Sequence, residues 1–229
     1  MQSLEQHAHA EFISSKAELQ RLSATQAVVR FYARQDAAIR NAAVEAPKSP
    51  ACKAGCAYCC YYKVEARAAE ILAVKNFVVS RFPPDRLRAV IEQAERNVAE
   101  VKDLSHSAHL ATNQRCPFLI DDRCSVYEVR PTKCRSFHAT DVEGCKASYD
   151  EPSNLSIPNS FVEEIFDAAN GVAEGFYGAL KATGIDSTVY DLNSGFLEAM
   201  RNPAVPKRLG SGKRALLKAT VVNLPAGDF

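Results

Sequence analysis

The sequence predicts a mainly α protein, a helical domain around a cysteine-rich loop with one short β-hairpin. Apolar residues recur every three or four positions along most of the 229 residues, which is typical of amphipathic helices. Four of the eight cysteines fall within one short stretch, from Cys52 to Cys60. Hydrophobic residues make up 47% of the chain, so the helices can enclose a sizeable core.

The chain divides into three segments, which we expect to form one structural domain overall. Residues 1–49 are an N-terminal helical segment, and residues 50–147 are a cysteine-cluster core with a helical insertion. Residues 148–229 are a C-terminal helical segment.

The first two segments contain three long stretches with helical periodicity. Residues 9–43 are expected to be helical with a break near Ser23, and one face carries Val28, Phe31, Tyr32, Gln35 and Ile39. Residues 65–82 form the next predicted helix, which the two following prolines end. Residues 85–104 have a continuous apolar stripe with charged residues opposite, as in a surface helix.

Shorter elements follow the third helix. Residues 105–115 read as a polar loop, in which His106 and His109 are a minor metal-ligand alternative. Residues 118–120 and 124–126 are predicted to form a hairpin with residues 121–123 as its turn.

The last part of the chain is again helical. Pro131 suits the first turn of a short helix that carries Cys134. The pattern Ser160-x-x-Glu163 is typical of a capping box, which would open a helix up to about residue 183. Residues 188–201 form a further predicted helix, and we expect the chain from Pro203 onwards to be loosely packed.

The cysteine stretch requires partners for its sulfur atoms, because four thiols cannot all enter one apolar core from so short a segment. The first stretch contains Cys52, Cys56, Cys59 and Cys60, and the chain continues with Cys116, Cys124, Cys134 and Cys145. These cysteines could form disulfides, hold a metal ion or cluster, or remain buried reduced thiols.

The expected cellular compartment favours metal binding over disulfide formation by these cysteines. The N-terminus lacks the basic and apolar regions of a secretory signal, and no apolar run is long enough to span a membrane. We therefore expect a cytoplasmic protein, and disulfides are rare in the reducing cytosol. The formal net charge of +1 argues against a nucleic-acid partner, which needs a basic surplus.

Cysteine spacing favours metal as well. The pair Cys56-x2-Cys59 can aim two thiolates at one point, as at zinc and iron–sulfur sites. The side chains of Cys59 and Cys60 are expected to point apart, so that they would serve different sites, unless one is a buried structural thiol. Eight cysteines could then supply two four-thiolate sites, with zinc or an iron–sulfur cluster as the bound group.

The second cysteine stretch adds charged and aromatic residues around Cys134. Arg130 and Arg135 could be ordinary surface residues, or they could neutralise a thiolate-bound centre and donate hydrogen bonds to sulfur. A third interpretation makes Cys134 a nucleophile, because neighbouring cations would lower its pKa and His138 follows four residues later.

Taken together, the two stretches resemble the YkgJ family, the CxxCxxCC proteins. The first motif matches at Cys52, Cys56, Cys59 and Cys60, although its first gap is one residue wider than the family name indicates. The second motif matches at Cys116-Pro117-Phe118-Leu119, Cys124, Tyr127, Arg130-Pro131 and Cys134-Arg135. The resemblance covers residues 50–147 approximately.

The resemblance implies a zinc- or iron-binding centre. A site in which protein thiolates fill every position is closed, which favours a structural, regulatory or metal-handling role over catalysis. We expect all eight cysteines to be ligands, surrounded by Tyr127, Arg130, Arg135 and His138. Some similar proteins are iron–sulfur-dependent lysine N-methylases that act on flagellin, which gives an S-adenosylmethionine-dependent protein lysine methylase as the alternative. The spacing of Cys52, Cys56 and Cys59 also fits a radical S-adenosylmethionine cluster, but the strand–helix alternation of such enzymes is missing from the sequence. The expected partners are a metal ion and a protein partner or substrate, with no nucleic acid and no membrane.

Overall fold

A computed structural model describes residues 2–154, 156–158 and 160–222, and it confirms a mainly α protein. The helices in this part of the chain are α1 Leu4–Leu19, α2 Ala24–Glu45, α3 Ala68–Arg81, α4 Pro84–Val101, α5 His106–Leu110, α6 Thr132–Ser136, α7 Val142–Asp150, α8 Glu163–Ala182, α9 Leu192–Arg201 and α10 Val205–Gly210. The strands are β1 Glu65–Arg67, β2 Leu119–Ile120, β3 Arg123–Cys124 and β4 Val189–Asp191. Two short 3-10 helices cover Tyr58–Tyr61 and Tyr127–Val129.

Helices α1, α2 and α8 pack together as the scaffold of the molecule. The predicted break near Ser23 is confirmed, since Ser23 caps α2 in a capping box with Gln26. Helix α8 approaches α1 closely at Gly175, where a Cβ would lie 2.8 Å from the Phe12 backbone nitrogen. The absence of a side chain at Gly175 therefore allows the two helix backbones to touch.

The predicted apolar face of α2 is buried at every position, including Gln35. Phe31 stacks on Phe176 of α8 with ring centroids 4.2 Å apart and an interplanar angle of 6°. The Gln35 side-chain amide donates to the Ala169 carbonyl at 3.0 Å, which satisfies its N–H group inside the core.

Helices α3, α4 and α9 form a second layer next to the scaffold. The prediction of helix from residue 65 is wrong at its start, because residues 65–67 form β1. This strand pairs antiparallel with β4, in the register Ala66↔Tyr190, so the predicted helix over residues 188–201 begins only at Leu192. The predicted polar loop over residues 105–115 likewise contains the short helix α5.

The hairpin is confirmed, although its turn is shorter than predicted. Asp121 and Asp122 have φ angles of 48° and 55°, and Arg123 already belongs to β3. Two successive residues with positive φ are typical of the type I′ turn, whose twist matches that of the flanking strands.

Two predictions for the C-terminal segment are wrong. The N-cap residue of α8 is Val162, which has no side-chain capping bond, because Ser160 and Phe161 instead pair with residues 139–140. The chain after α10 is well packed, since Leu216 is fully buried and the Glu198 carboxylate accepts hydrogen bonds from the backbone of residues 217–219. Residues 223–229 of the predicted tail lie outside the described residues.

Candidate metal centre

The eight cysteines lie in loops and short elements of the chain between α2 and α8. Cys52 and Cys56 belong to the loop before the first 3-10 helix, and Cys59 and Cys60 lie within that helix. The others are distributed over four places in the chain: Cys116 before β2, Cys124 in β3, Cys134 in α6 and Cys145 in α7.

Backbone hydrogen bonds connect these segments. The Cys116 N–H donates to the Cys60 carbonyl at 2.8 Å, which joins the two cysteine motifs directly. The Ala51 N–H donates to the Ala139 carbonyl at 2.8 Å, so the first loop is also tied to the chain that follows α6. The first motif is therefore anchored on both sides.

Helix α7 brings Cys145 to the same place. The Tyr62 hydroxyl donates to the Cys145 carbonyl at 3.2 Å. Tyr149 packs against Tyr58 and Tyr61, with ring centroids 5.7 and 5.0 Å away. This aromatic contact fixes α7 against the 3-10 helix that carries two of the thiols.

All eight cysteines, each within the described residues, are free thiols, so the disulfide alternative is not realised. Interaction with the neighbouring Cys60 thiol, followed by burial, raises the pKa of Cys59. Successive residues of a 3-10 turn are about 120° apart around the helix axis, whereas in a strand they would point to opposite faces.

One set of thiols, which we call the first thiol group, consists of Cys52, Cys56 and Cys145. Burial and then the charges of Cys52 and Cys56 raise the pKa of Cys145 to about 11. Burial also raises the pKa of Cys52, and the charges of Cys59 and Cys56 contribute. Cys59 therefore lies within electrostatic reach of this group.

The second thiol group consists of Cys116, Cys124 and Cys134. Burial and then the charges of Cys124 and Cys59 raise the pKa of Cys116 to about 12. Burial, followed by the charges of the other two thiols and of Cys59, raises the pKa of Cys134 well above its ordinary value. Cys59 is thus electrostatically coupled to both thiol groups.

The thiols suit a thiophilic metal in type and number but are not arranged around a single point. Among residues 2–154, 156–158 and 160–222, no three His, Cys, Asp or Glu side chains have a geometry that would hold a metal ion. Cys59 and Cys134 are exposed, and yet the protein atoms around each thiol raise its pKa by burial.

Arg135 is not a surface residue. Its side chain is fully buried, and its guanidinium donates to Asp36 at 2.6 Å and to the Arg130 and Glu128 carbonyls at 2.8 and 2.5 Å. It also lies over the Tyr32 ring, 4.1 Å from the centroid. Arg135 therefore attaches the Cys134 helix to α2.

Arg130 contributes charge to the site. It donates to the Cys134 and Tyr127 carbonyls and stacks on the exposed Tyr127 ring at 3.6 Å. Its positive charge lowers the pKa of Cys59, Cys124 and Cys134, against the larger opposing effect of burial on the last two. The hydrogen bonds described above for both arginines go to oxygen atoms, so donation to sulfur remains a prediction.

The nucleophile interpretation of Cys134 is not supported. Burial and the surrounding thiols raise the pKa of Cys134 well above its ordinary value, and this outweighs the lowering by the positive charge of Arg130. His138 is partly buried, its Nδ1 has no hydrogen-bond partner, and burial lowers its pKa. It is therefore mostly neutral at pH 7.

The histidine alternative receives no support from the described residues either. His109 is buried in α5 and its Nε2 atom lacks a partner, whereas the exposed His106 places Nδ1 3.1 Å from the Lys63 ammonium nitrogen.

Sequence reasoning missed Glu70, which positions the Cys134 helix from the other side. This carboxylate is 1% exposed and accepts hydrogen bonds from the Thr132 and Arg67 backbone and from the Tyr32 and Tyr177 hydroxyls. The sequence does contain an indication of this buried carboxylate, because Glu70 is the only acidic residue in the otherwise apolar run from residue 68 to residue 74.

Comparison with known proteins gives a match for the cysteine-rich part of the chain. Residues 51–155 match the family model described as "CxxCxxCC: Putative zinc- or iron-chelating domain". No curated protein and no solved structure shows a significant match to the chain. None of the helices in the described residues has the length and apolar character needed to cross a membrane. Residues 51–155, a little under half of the chain, are therefore similar to the CxxCxxCC family, and this is the family to which the comparison points.

Proposed function

We propose that this protein binds zinc or an iron–sulfur cluster through its eight cysteines, at two neighbouring thiolate sites. The observation that carries the proposal is the attachment of separate free-thiol segments to one another: the Cys116 N–H binds the Cys60 carbonyl, and α7 with Cys145 packs on the 3-10 helix that carries Cys59 and Cys60. Free thiols persist in a reducing compartment, so we also propose a cytoplasmic location.

The adjacent residues Cys59 and Cys60 complete the two sites. The first thiol group offers three ligands and the second group offers three more, so each lacks one thiolate for a tetrahedral site. Cys59 and Cys60 supply one thiolate to each, which uses all eight cysteines. The backbone bond from Cys116 to Cys60 supports this division, since it holds the second motif against the first.

A site closed by four thiolates favours a structural, regulatory or metal-handling role over catalysis, because no coordination position remains open for a substrate. No observation in the described part of the chain favours the methylase alternative. The strands there form two antiparallel pairs of two or three residues, whereas a radical S-adenosylmethionine barrel alternates parallel strands with helices.

Metal and sulfide analysis of protein purified without oxygen tests the proposal. Two zinc ions per chain without acid-labile sulfide would identify two zinc sites, and iron with sulfide would identify clusters. A chain that contains neither metal after purification, and that takes up neither from solution, would contradict the proposal.

Single substitutions test the division into two sites. Cys145→Ser and Cys134→Ser are each expected to lose about half of the bound metal, because each removes one ligand from a different four-thiolate site. The exposed neighbours give matched controls, and Lys146→Ala and Lys133→Ala should keep the full content. Complete loss of metal in both cysteine variants would instead indicate one shared site.

A further inference from the structure

A surface cleft of about 200 Å³ lies between α4 and the segment that leads into the β2–β3 hairpin. We call it the arginine cleft, because three of its lining residues are Arg86, Arg96 and Arg115. It opens beside the cysteine motifs, and none of the eight thiols lines it.

The three guanidinium groups have unused hydrogen-bonding capacity. Arg96 donates to the Gln93 side chain and Arg115 to the Leu119 carbonyl, each at 2.8 Å. The Nε atom of Arg86 is buried and has no acceptor, although its guanidinium stacks on Phe82 at 4.1 Å. Buried donors are normally satisfied, so this orphan N–H indicates a missing acceptor.

The charge in the cleft is also unbalanced. None of the three arginines takes part in an ion pair within the described residues. Asp121 is the only acidic residue that lines the cleft there, which leaves a formal charge of +2. A ligand with two negative charges would neutralise it.

The volume of the cleft and the chemistry of its surface further restrict the class of ligand. Val90, Pro117 and Leu119 are buried residues that give the cleft an apolar floor. Sites for drug-sized ligands typically measure about 300–1,000 Å³, so this cleft admits only a smaller molecule. A short hydrocarbon between two carboxylates fits both the floor and the guanidinium groups.

We propose that the arginine cleft binds a small aliphatic dicarboxylate. Its carboxylates accept hydrogen bonds from the arginines, including the Arg86 Nε–H, and its methylene groups pack on the apolar floor. This site is separate from the metal centre, and the proposal does not depend on the metal-binding function.

Calorimetric titration of the full chain, as purified, tests the proposal with glutarate, butyrate and inorganic phosphate. Glutarate is expected to bind saturably and at least about tenfold more tightly than butyrate, since it gains a second charged hydrogen-bonding group. Phosphate should bind more weakly than glutarate because it has no methylene groups to pack on the apolar floor. Absence of glutarate binding, or phosphate binding of equal strength, would overturn the dicarboxylate assignment.

Substitutions locate the site. Arg86→Gln and the exposed Arg96→Gln should each weaken glutarate binding about tenfold. Arg88→Gln is the matched control, because Arg88 lies on the same helix but pairs with Asp85 and does not line the cleft. If Arg86→Gln impairs folding because the Arg86–Phe82 contact is lost, the Arg96→Gln variant still tests the proposal. Unchanged affinity in both cleft variants would place glutarate elsewhere, the metal centre included, and would refute the proposal.

Discussion

The scaffold helices and the cysteine segments are held together by different means. Helices α1, α2 and α8 contain 16, 22 and 20 residues and bury side chains such as Phe31 and Phe176 completely. The elements that carry Cys59, Cys124 and Cys134 contain four, two and five residues. Isolated elements of that length are unstable, so their positions must come from contacts with the rest of the molecule.

The two regions therefore differ in what stabilises them and in whether they carry the proposed metal ligands. Burial of apolar surface stabilises the scaffold without help from a ligand. The cysteine segments depend on a few polar attachments, chiefly Arg135 and Glu70, and on the metal proposed above. Substitutions that change only one of the two regions test this difference between the scaffold and the cysteine segments.

The largest effect is expected at the attachment between the two regions. Arg135→Met should lower the free energy of unfolding by about 3–5 kcal/mol, because it leaves Asp36 and two backbone carbonyls without their buried partner. Urea denaturation measures the change. Lys133→Met, on the exposed side of the same helix, is the control and should change stability little. Equal stability of the two variants would show that α6 is held by other contacts.

A smaller effect is expected for Asp186, which attaches the C-terminal chain to the scaffold. Its carboxylate accepts from the Tyr190 hydroxyl at 2.6 Å and from the Ala215 and Thr188 backbone at 2.8 and 2.9 Å. Asp186→Asn should cost about 1.5–3 kcal/mol near pH 7, as for other hydrogen bonds to charged groups.

The same carboxylate predicts a pH dependence. Burial alone would raise the pKa of Asp186, but these hydrogen bonds lower it below its ordinary value of 3.8. The stabilisation is therefore complete above pH 3.8 and declines as the pH falls through the lower pKa of the folded state. Asp186→Asn should abolish this part of the acid sensitivity in urea titrations at several pH values, whereas the exposed Asp85→Asn should retain it.

Within the scaffold, Gly175→Ala is expected to destabilise by about 1–3 kcal/mol, because its Cβ would collide with the α1 backbone. Gly178→Ala one turn later meets only the Phe12 ring at 3.4 Å and should be neutral or stabilising by up to about 1 kcal/mol. Thermal unfolding compares the pair. Folded Gly175→Ala protein should still bind its full metal complement, and a loss would mean that the two regions are coupled.

The smallest effect is expected in the scaffold when metal is removed. Chelation should speed hydrogen exchange in residues 51–61 and 132–150, while exchange in α1, α2 and α8 stays nearly unchanged. Hydrogen-exchange mass spectrometry resolves the regions. Equal acceleration in α2 would contradict the contrast between scaffold and cysteine segments.

The spacing of apolar residues predicted the scaffold helices well, because the repeat that identifies a long amphipathic helix lies within the residues of that helix. The buried face of α2 and the break at Ser23 follow from local pattern alone. The hairpin could also be predicted, since Asp121 and Asp122 tolerate positive φ.

Elements that depend on distant partners could not be predicted. Strand β1 has three residues, too few to show alternation, and its partner β4 lies more than a hundred residues later. The role of Arg135 depends on Asp36 in another helix, so its position beside Cys134 indicated only a charge. The cysteine motifs predicted the candidate ligands, but the proposed division into two thiol groups depends on how the segments pack.

The attachments of α6 have a consequence for the order of folding. The Thr132 N–H binds Glu70 of α3, and Arg135 binds Asp36 of α2. The helix that carries Cys134 can therefore take its place only after α2 and α3 have met, and α8 packs on α2 from the far end of the chain. If the second thiol group binds metal as proposed, the capture of that metal follows the packing of α2 against α3, because both attachments of α6 must already exist.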